Sequence, residues 1–171
     1  MFSTFGTWLR GDARGFRDHG HRIHSSGDYR SPPPPAEHAG LRRWVQRVMH
    51  KRPVVLDASA RVVVRDWLVA SLTTRGVQVV ALAVASDHVH ALVRCRRRDV
   101  RRLVGLAKAR ASLAIGDAHP GTVWGKRCAI KAIRDRSHHV ATFRYIVAHS
   151  RAGAAVWTYR EPAPNPRARG A

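Results

Sequence analysis

Cysteine is nearly missing from this chain: Cys95 and Cys128 are the only two among 171 residues, and neither sits in a C-x-x-C arrangement. That excludes a disulfide-stapled secreted scaffold and fits a reducing, cytoplasmic setting. No apolar run approaches the roughly 18 residues of a membrane span, so neither a membrane protein nor a membrane partner is expected. Residues 1–8 carry no basic leader and no long apolar stretch, and are not expected to act as a signal peptide. Acidic residues are scarce as well. Eleven Asp and Glu stand against 31 Lys and Arg, a formal net charge of +20. Such an excess repels itself in the folded state and persists most readily when the usual partner is a polyanion. Arg far outnumbers Lys, and its planar fork suits phosphate oxygens and base stacking. A GC-rich coding sequence also enriches Arg, so composition alone does not settle the partner. Tyrosine, with three residues, is rare enough that each one can be weighed singly.

What is present reads as one compact domain over 1–160 with room for a real core, since apolar residues make up 44% of the chain. Residues 2–8, rich in aromatic and β-branched types, read as a strand. Residues 11–36 read as a long basic irregular loop, because Pro32-Pro33-Pro34-Pro35 can be neither helix nor inner strand. A short helix over 41–50 carries Arg42, Arg43 and Arg47. Asp57 is a good N-cap for an amphipathic helix to 75, with Ala60, Val64, Trp67, Leu68 and Leu72 inward and Gly76 at its end. Residues 77–85 are almost wholly apolar, as befits a central strand covered on both faces. Ser86-Asp87 makes a turn into a strand over 88–94, and Arg96-Arg97-Arg98 lies at its exit. A helix over 99–115, a strand over 122–133 and a helix over 138–152 follow, and the Pro-rich residues 161–171 read as a disordered tail. The expected fold is α+β, an antiparallel sheet with helices packed on one face.

The sharpest local feature is Asp87-His88-Val89-His90-Ala91-Leu92-Val93. Side chains alternate along a strand, so His88 and His90 share one face, about 6–7 Å apart along it, and can hold half a metal site. A plain alternative is two histidines on a solvated face, but the apolar flanks argue for an inner strand. The second feature is Phe143-Arg144-Tyr145-Ile146-Val147-Ala148-His149. Val140, Phe143 and Val147 form the expected core stripe of this helix. Tyr145 and His149, four apart, stack on another face. If that face meets the His88/His90 face, a phenol and a third imidazole reach the metal together. A nearby cation lets a tyrosine attack phosphorus by offsetting the charge that develops there. Tyr29 precedes the proline run and Tyr159 precedes the tail, so Tyr145 is the tyrosine best held in place.

These residues resemble the single-tyrosine HUH transposases of small insertion sequences, including the REP-associated tyrosine transposases. The resemblance rests on the 77–93 strand–turn–strand with His88 and His90, and on Val123-Trp124-Gly125-Lys126-Arg127 running through Ile130 to Tyr145-Ile146 and Arg151-Ala152-Gly153. The opening Phe5-Gly6-Thr7-Trp8-Leu9-Arg10-Gly11-Asp12 is similar to the start of a subgroup. The resemblance implies a ferredoxin-like fold that recognises hairpins in single-stranded DNA and cleaves beside them with magnesium or manganese, leaving the 5′ phosphate on tyrosine. It implies His88, His90 and His149 as metal ligands and Tyr145 as nucleophile. Lys108, Lys126 and Arg127 would contact phosphates or the hairpin, and Arg10, Arg96 and Arg97 complete the expected DNA contacts. The sequence departs from the family's pattern at Ala85-Ser86, where Met-Pro is usual, and at Cys128, where an aromatic residue or Gly is common. It leaves open a monomer or a homodimer.

Three alternatives stand beside this reading. A zinc site of His88, His90, Cys95 and Cys128 fails on alternation, because Cys95 lies five residues past His90 and so on the opposite strand face. A replication-initiator nickase shares the His-x-His logic but is usually a larger chain with further tyrosines nearby. A catalytically silent regulator that binds hairpin DNA or RNA would keep the charge and the fold without needing Tyr145 or the histidine pair.

Overall fold

The computed structural model describes residues 1–13, 16–18, 21–23, 34 and 36–166. In chain order its elements are β1 (Phe2–Thr4), β2 (Phe16–Asp18), β3 (His21–Ile23), α1 (Ala39–Val48), α2 (Ala58–Thr73), β4 (Gln78–Val84), β5 (His88–Arg94), α3 (Val100–Ala114), β6 (Trp124–Cys128), α4 (Arg136–Ala148) and β7 (Ala155–Thr158), with short 3-10 turns at Arg97–Asp99 and His149–Ala152. They fall into two compact units, Met1–Phe5 with Val54–Ala171, and Gly6–Pro53.

In the larger unit the Asp57 carboxylate accepts from the Ala60 N–H at 2.8 Å and starts α2. Gly76, at φ 72°, lets the chain leave that helix and enter β4. Five strands form one sheet in the order β6-β1-β5-β4-β7, each neighbouring pair antiparallel. The run β1-α2-β4-β5-α3-β6 with the order β6-β1-β5-β4 is the ferredoxin-like arrangement of two interleaved β-α-β units. β7 is added outside β4.

Five of the seven residues of β4 are buried, Ala81–Val84 without a break, as a strand covered on both faces requires. Leu82 and Val84 of β4 and Val89 of β5 face Val64, Leu68 and Leu72 of α2 and Leu103 and Ala107 of α3. The alternate residues Ala81 and Ala83, with Leu92 of β5, face Ile146 of α4. The α+β class is therefore as expected, with one refinement. α2 and α3 share one face, whereas α4 lies on the other, where two alanines leave room for a helix to approach closely.

Several boundaries differ from the sequence expectation. β1 ends at Thr4 rather than residue 8, because the chain turns at Gly6 (φ 72°), where a Cβ would come within 2.7 Å of Met49 Cε and 3.0 Å of Pro53 Cα. The expected irregular stretch over 11–36 contains the antiparallel pair β2 and β3, whose three-residue strands are too short to show an alternating pattern. Residues 14–15, 19–20, 24–33 and 35 of that stretch lie outside the described residues. The strand expected over 122–133 is regular only over β6. α4 begins at Arg136, capped by the Asp135 carboxylate on the His138 N–H at 2.7 Å. β7 was not expected at all. Where a disordered tail was expected, Glu161 accepts from the Thr158 N–H at 2.9 Å and Trp157 Nε1 donates to the Pro162 carbonyl at 3.2 Å. Residues 167–171 of that tail lie outside the described residues. No helix among the described residues is long and apolar enough to cross a membrane.

Candidate metal and tyrosine centre

The Ser86-Asp87 turn is closed by the Ala85 N–H on the His88 carbonyl at 2.9 Å. From it β5 emerges with His88, His90 and Leu92 on one face. β5 is the middle strand of the sheet: Ser3 of β1 pairs with His88 on one side and Ala83 of β4 with His90 on the other. Neighbours on both sides fix the backbone, so the two imidazoles project from a rigid base. α4 lies over the same face, anchored by Ile146, which is only 2% exposed. With Ile146 in place, the preceding residue, Tyr145, and the residue three further on, His149, fall beside the histidine pair. The expected core stripe is corrected here: Val140 is 38% exposed, and Ile146 with the partly buried Phe143 carries the contact.

The rings meet edge to face. Centroids of His88 and His90 are 5.0 Å apart, those of His88 and His149 5.6 Å, and those of His90 and His149 4.8 Å. Tyr145 stands 5.1 Å from His90 and 4.7 Å from His149. One nitrogen from each of the three histidines lies within 4.8 Å of the others, the one such cluster of metal-ligating side chains among the described residues. Tyr145 is 54% exposed, so its phenol is open to a macromolecular substrate.

Two of the imidazoles are oriented by hydrogen bonds. Asp87 Oδ1 lies 2.6 Å from His88 Nδ1, and the Tyr145 carbonyl lies 3.0 Å from His149 Nδ1. Neither oxygen can donate, so each Nδ1 carries the proton and each Nε2 keeps its lone pair for an ion. Burial holds the pKa of His90 down, to about 4, helped by the charges of His88, His149 and the amino terminus. His90 is therefore a neutral imidazole at pH 7, the form that ligates. Sequence reasoning treated Asp87 only as a turn residue. An acid directly before a ligating histidine was the available signal.

The other expected contacts are spread over the molecule. Lys126 and Arg127 are exposed on the edge strand β6. Arg96 and Arg97 are exposed just beyond the far end of β5, and Arg97 lines the same groove as His90 and Tyr145. Lys108 does not sit with the histidines: its ammonium donates to the Gly125 carbonyl at 2.7 Å, stands 5.4 Å from the Phe2 ring centroid, and has its pKa lowered by burial. It ties α3 to β6. Arg10 is exposed in the Gly6–Pro53 unit. Cys95 and Cys128 pack against the α2/α3 core, across the sheet from the histidines, which removes the mixed zinc set. A groove adjoins the centre, with His90, Leu92, Lys131, His138, Thr142 and Tyr145 in its lining.

Residues 43–149 match the family described as "Transposase IS200 like", a span that includes His88, His90, Tyr145 and His149. No curated protein and no solved structure matches the chain. A match over more than half of the residues, with the histidine pair and the helical tyrosine meeting at one point of a ferredoxin-like sheet, places this chain in the IS200-like transposase family.

Proposed function

We propose that the protein is a metal-dependent endonuclease and transposase that cuts and rejoins single-stranded DNA beside hairpins through a 5′-phosphotyrosine. The observation that carries this reading is the exposed phenol of Tyr145 packed against two of three clustered imidazoles. In cleavage Tyr145 Oη attacks phosphorus, the Oη–P bond forms as the P–O3′ bond breaks, and the phenolic proton passes to solvent. The departing O3′ takes a proton and leaves as a 3′-hydroxyl. Rejoining is the reverse, a 3′-hydroxyl attacking the phosphotyrosine and releasing the phenol, so the ester bond energy is kept rather than lost to hydrolysis.

The donor set at the centre fits a divalent cation. Of the two ions the resemblance implies, Mn²⁺ accepts imidazole nitrogen more readily than Mg²⁺, which demands oxygen ligands and gives up its waters reluctantly. Held by His88, His90 and His149, such an ion supplies charge against the phosphoryl oxygens as negative charge develops there. The chain's own part is to fix the three nitrogens from one strand and one helix and to present the phenol beside them. Exposed Lys126, Arg127, Arg96, Arg97 and Arg10 would contribute phosphate contacts around the strand.

The direct test incubates the purified protein with a labelled single-stranded hairpin from the repeats flanking its gene, with Mn²⁺ or Mg²⁺. A covalent protein–DNA band on a denaturing gel that requires the metal, and is stronger with Mn²⁺, is the expected result. Hairpin binding with no covalent band under either metal would leave the silent regulator as the better reading.

Tyr145 and the three histidines meet within one chain, so we propose cleavage in cis. Mixing Tyr145→Phe protein with His90→Ala protein should then give no adduct, since neither chain holds a whole centre. Recovery of about a quarter to a half of wild-type adduct in the mixture would show that the tyrosine serves a partner's histidines.

A further inference from the structure

Most of the Gly6–Pro53 unit lies outside the matched span 43–149, and the proposed chemistry uses nothing in it except Arg10. Its helix α1 has no buried residue. Leu41, Val45 and Met49 fall along one side and are half-buried. The unit's own backbone closes on that helix: a Cβ at Gly11 would lie 2.6 Å from Arg42 N and 2.7 Å from the His38 carbonyl oxygen, so only glycine admits the approach. The remaining arc carries Arg43, Trp44, Gln46, Arg47 and Val48, all exposed, with Trp44 at 52% and Val48 at 50%.

Three features of that arc point the same way. Arg43 and Arg47 are one turn apart, where like charges repel, and no acidic residue occurs between Glu37 and Asp57 to offset them. Arg43, Gln46 and Arg47 line a shallow cleft. Trp44 lies one turn before Arg47 on the same arc and leaves half of its surface exposed. Cationic side chains along a track, with an exposed aromatic ring among them, are what a single strand of nucleic acid needs: phosphates for the guanidiniums and an unpaired base for the ring.

We propose that α1 is a second contact for single-stranded DNA, in which Arg43 and Arg47 hold consecutive phosphates and a base stacks on Trp44. This inference rests on nucleic acid being the partner proposed above, but not on the tyrosine chemistry. It makes α1 an anchoring surface that acts without metal.

The test measures fluorescence anisotropy of a labelled 30-nucleotide oligo(dT) with the full chain in EDTA, which keeps the metal centre out of play. Trp44→Ala should weaken binding about tenfold, while Trp44→Phe, which keeps a stacking ring, should retain most of the affinity. The Arg43→Gln/Arg47→Gln double variant should lower the slope of log K against log salt by about 1.4, from about 0.7 per phosphate contact. Affinity and slope unchanged in both Trp44→Ala and the double variant would overturn the proposal. So would a Trp44→Ala variant that shifts from dimer to monomer in sedimentation, or stops binding phosphatidylglycerol vesicles, with its oligo(dT) affinity intact. Those outcomes would assign the face to a second copy or to a lipid surface. Adduct formation is scored in parallel on hairpin DNA with Mn²⁺. No adduct from wild type, with Trp44→Ala still weakening oligo(dT) binding, defeats only the nuclease reading. Adduct present with unchanged affinities defeats only this inference.

Discussion

Tyr145→Phe is expected to abolish the covalent protein–DNA species, lowering its rate of formation by at least about a thousandfold, while hairpin affinity and fold remain. The change deletes one oxygen, and that oxygen is the atom proposed to bond phosphorus; nothing else in the centre can take its place, because an imidazole committed to a metal through Nε2 and to a hydrogen bond through Nδ1 has no lone pair left. The fold should not register the loss. The ring is 54% exposed and keeps its edge contacts with His90 and His149 as phenylalanine. Such surface changes fall within about 0.5 kcal/mol, a shift of no more than about 2 °C in melting temperature for a chain this size. Denaturing gels for the adduct and thermal melts for the fold check both halves. Adduct persisting in Tyr145→Phe would move the nucleophile elsewhere, with Tyr159 the next tyrosine to replace.

The second large effect is on metal. His90→Ala should weaken Mn²⁺ binding, followed by isothermal titration, more than about a hundredfold, because it removes one of three ligands at the middle of the sheet. Asp87→Asn should do less, about ten- to a hundredfold, since it spares the ligand and alters only the group that orients His88. An unchanged affinity in Asp87→Asn would mean the 2.6 Å contact merely closes the turn. The same centre should give the metal-free protein an acid-sensitive stability. Burial and its neighbours hold His90 at a pKa of about 4, below the ordinary value of 6.5. Above pH 6.5 folded and unfolded chains both carry it neutral. Between about 6.5 and 4 the unfolded chain binds the proton and the folded chain does not, so stability falls as pH falls through that window. His90→Ala should flatten this part of the stability–pH curve, and saturating Mn²⁺ should steepen it, because protons and metal compete for the same nitrogen.

Much of the site could be read along the chain because it depends on local periods. Alternation in β5 places His88 and His90 on one face whatever the rest of the fold does, and a four-residue spacing stacks His149 on Tyr145. The cap at Asp57, the turn at Ser86-Asp87 and the left-handed Gly76 likewise follow from residues within a few positions of one another. Elements of three or four residues escaped the same reasoning. β2, β3 and β7 are too short for periodicity to emerge, and β7 forms because β4 offers it a free edge to pair with.

The sequence by itself therefore determined the class of fold, the charge that invites a polyanion, and the two half-sites, a histidine pair and a tyrosine–histidine pair. Only the tertiary structure decided that the halves meet. That depended on which face of the sheet α4 would cover, and the stripe expected from Val140, Phe143 and Val147 did not fix it. The choice was made by Ile146 settling against Ala81, Ala83 and Leu92, where two alanines of β4 let a helix come close. Tertiary packing also brought the Lys108 ammonium to a carbonyl of β6 and the Asp87 carboxylate to the His88 imidazole. Contacts between residues distant in sequence arise from which surfaces fill space together, and no local period along the chain encodes that.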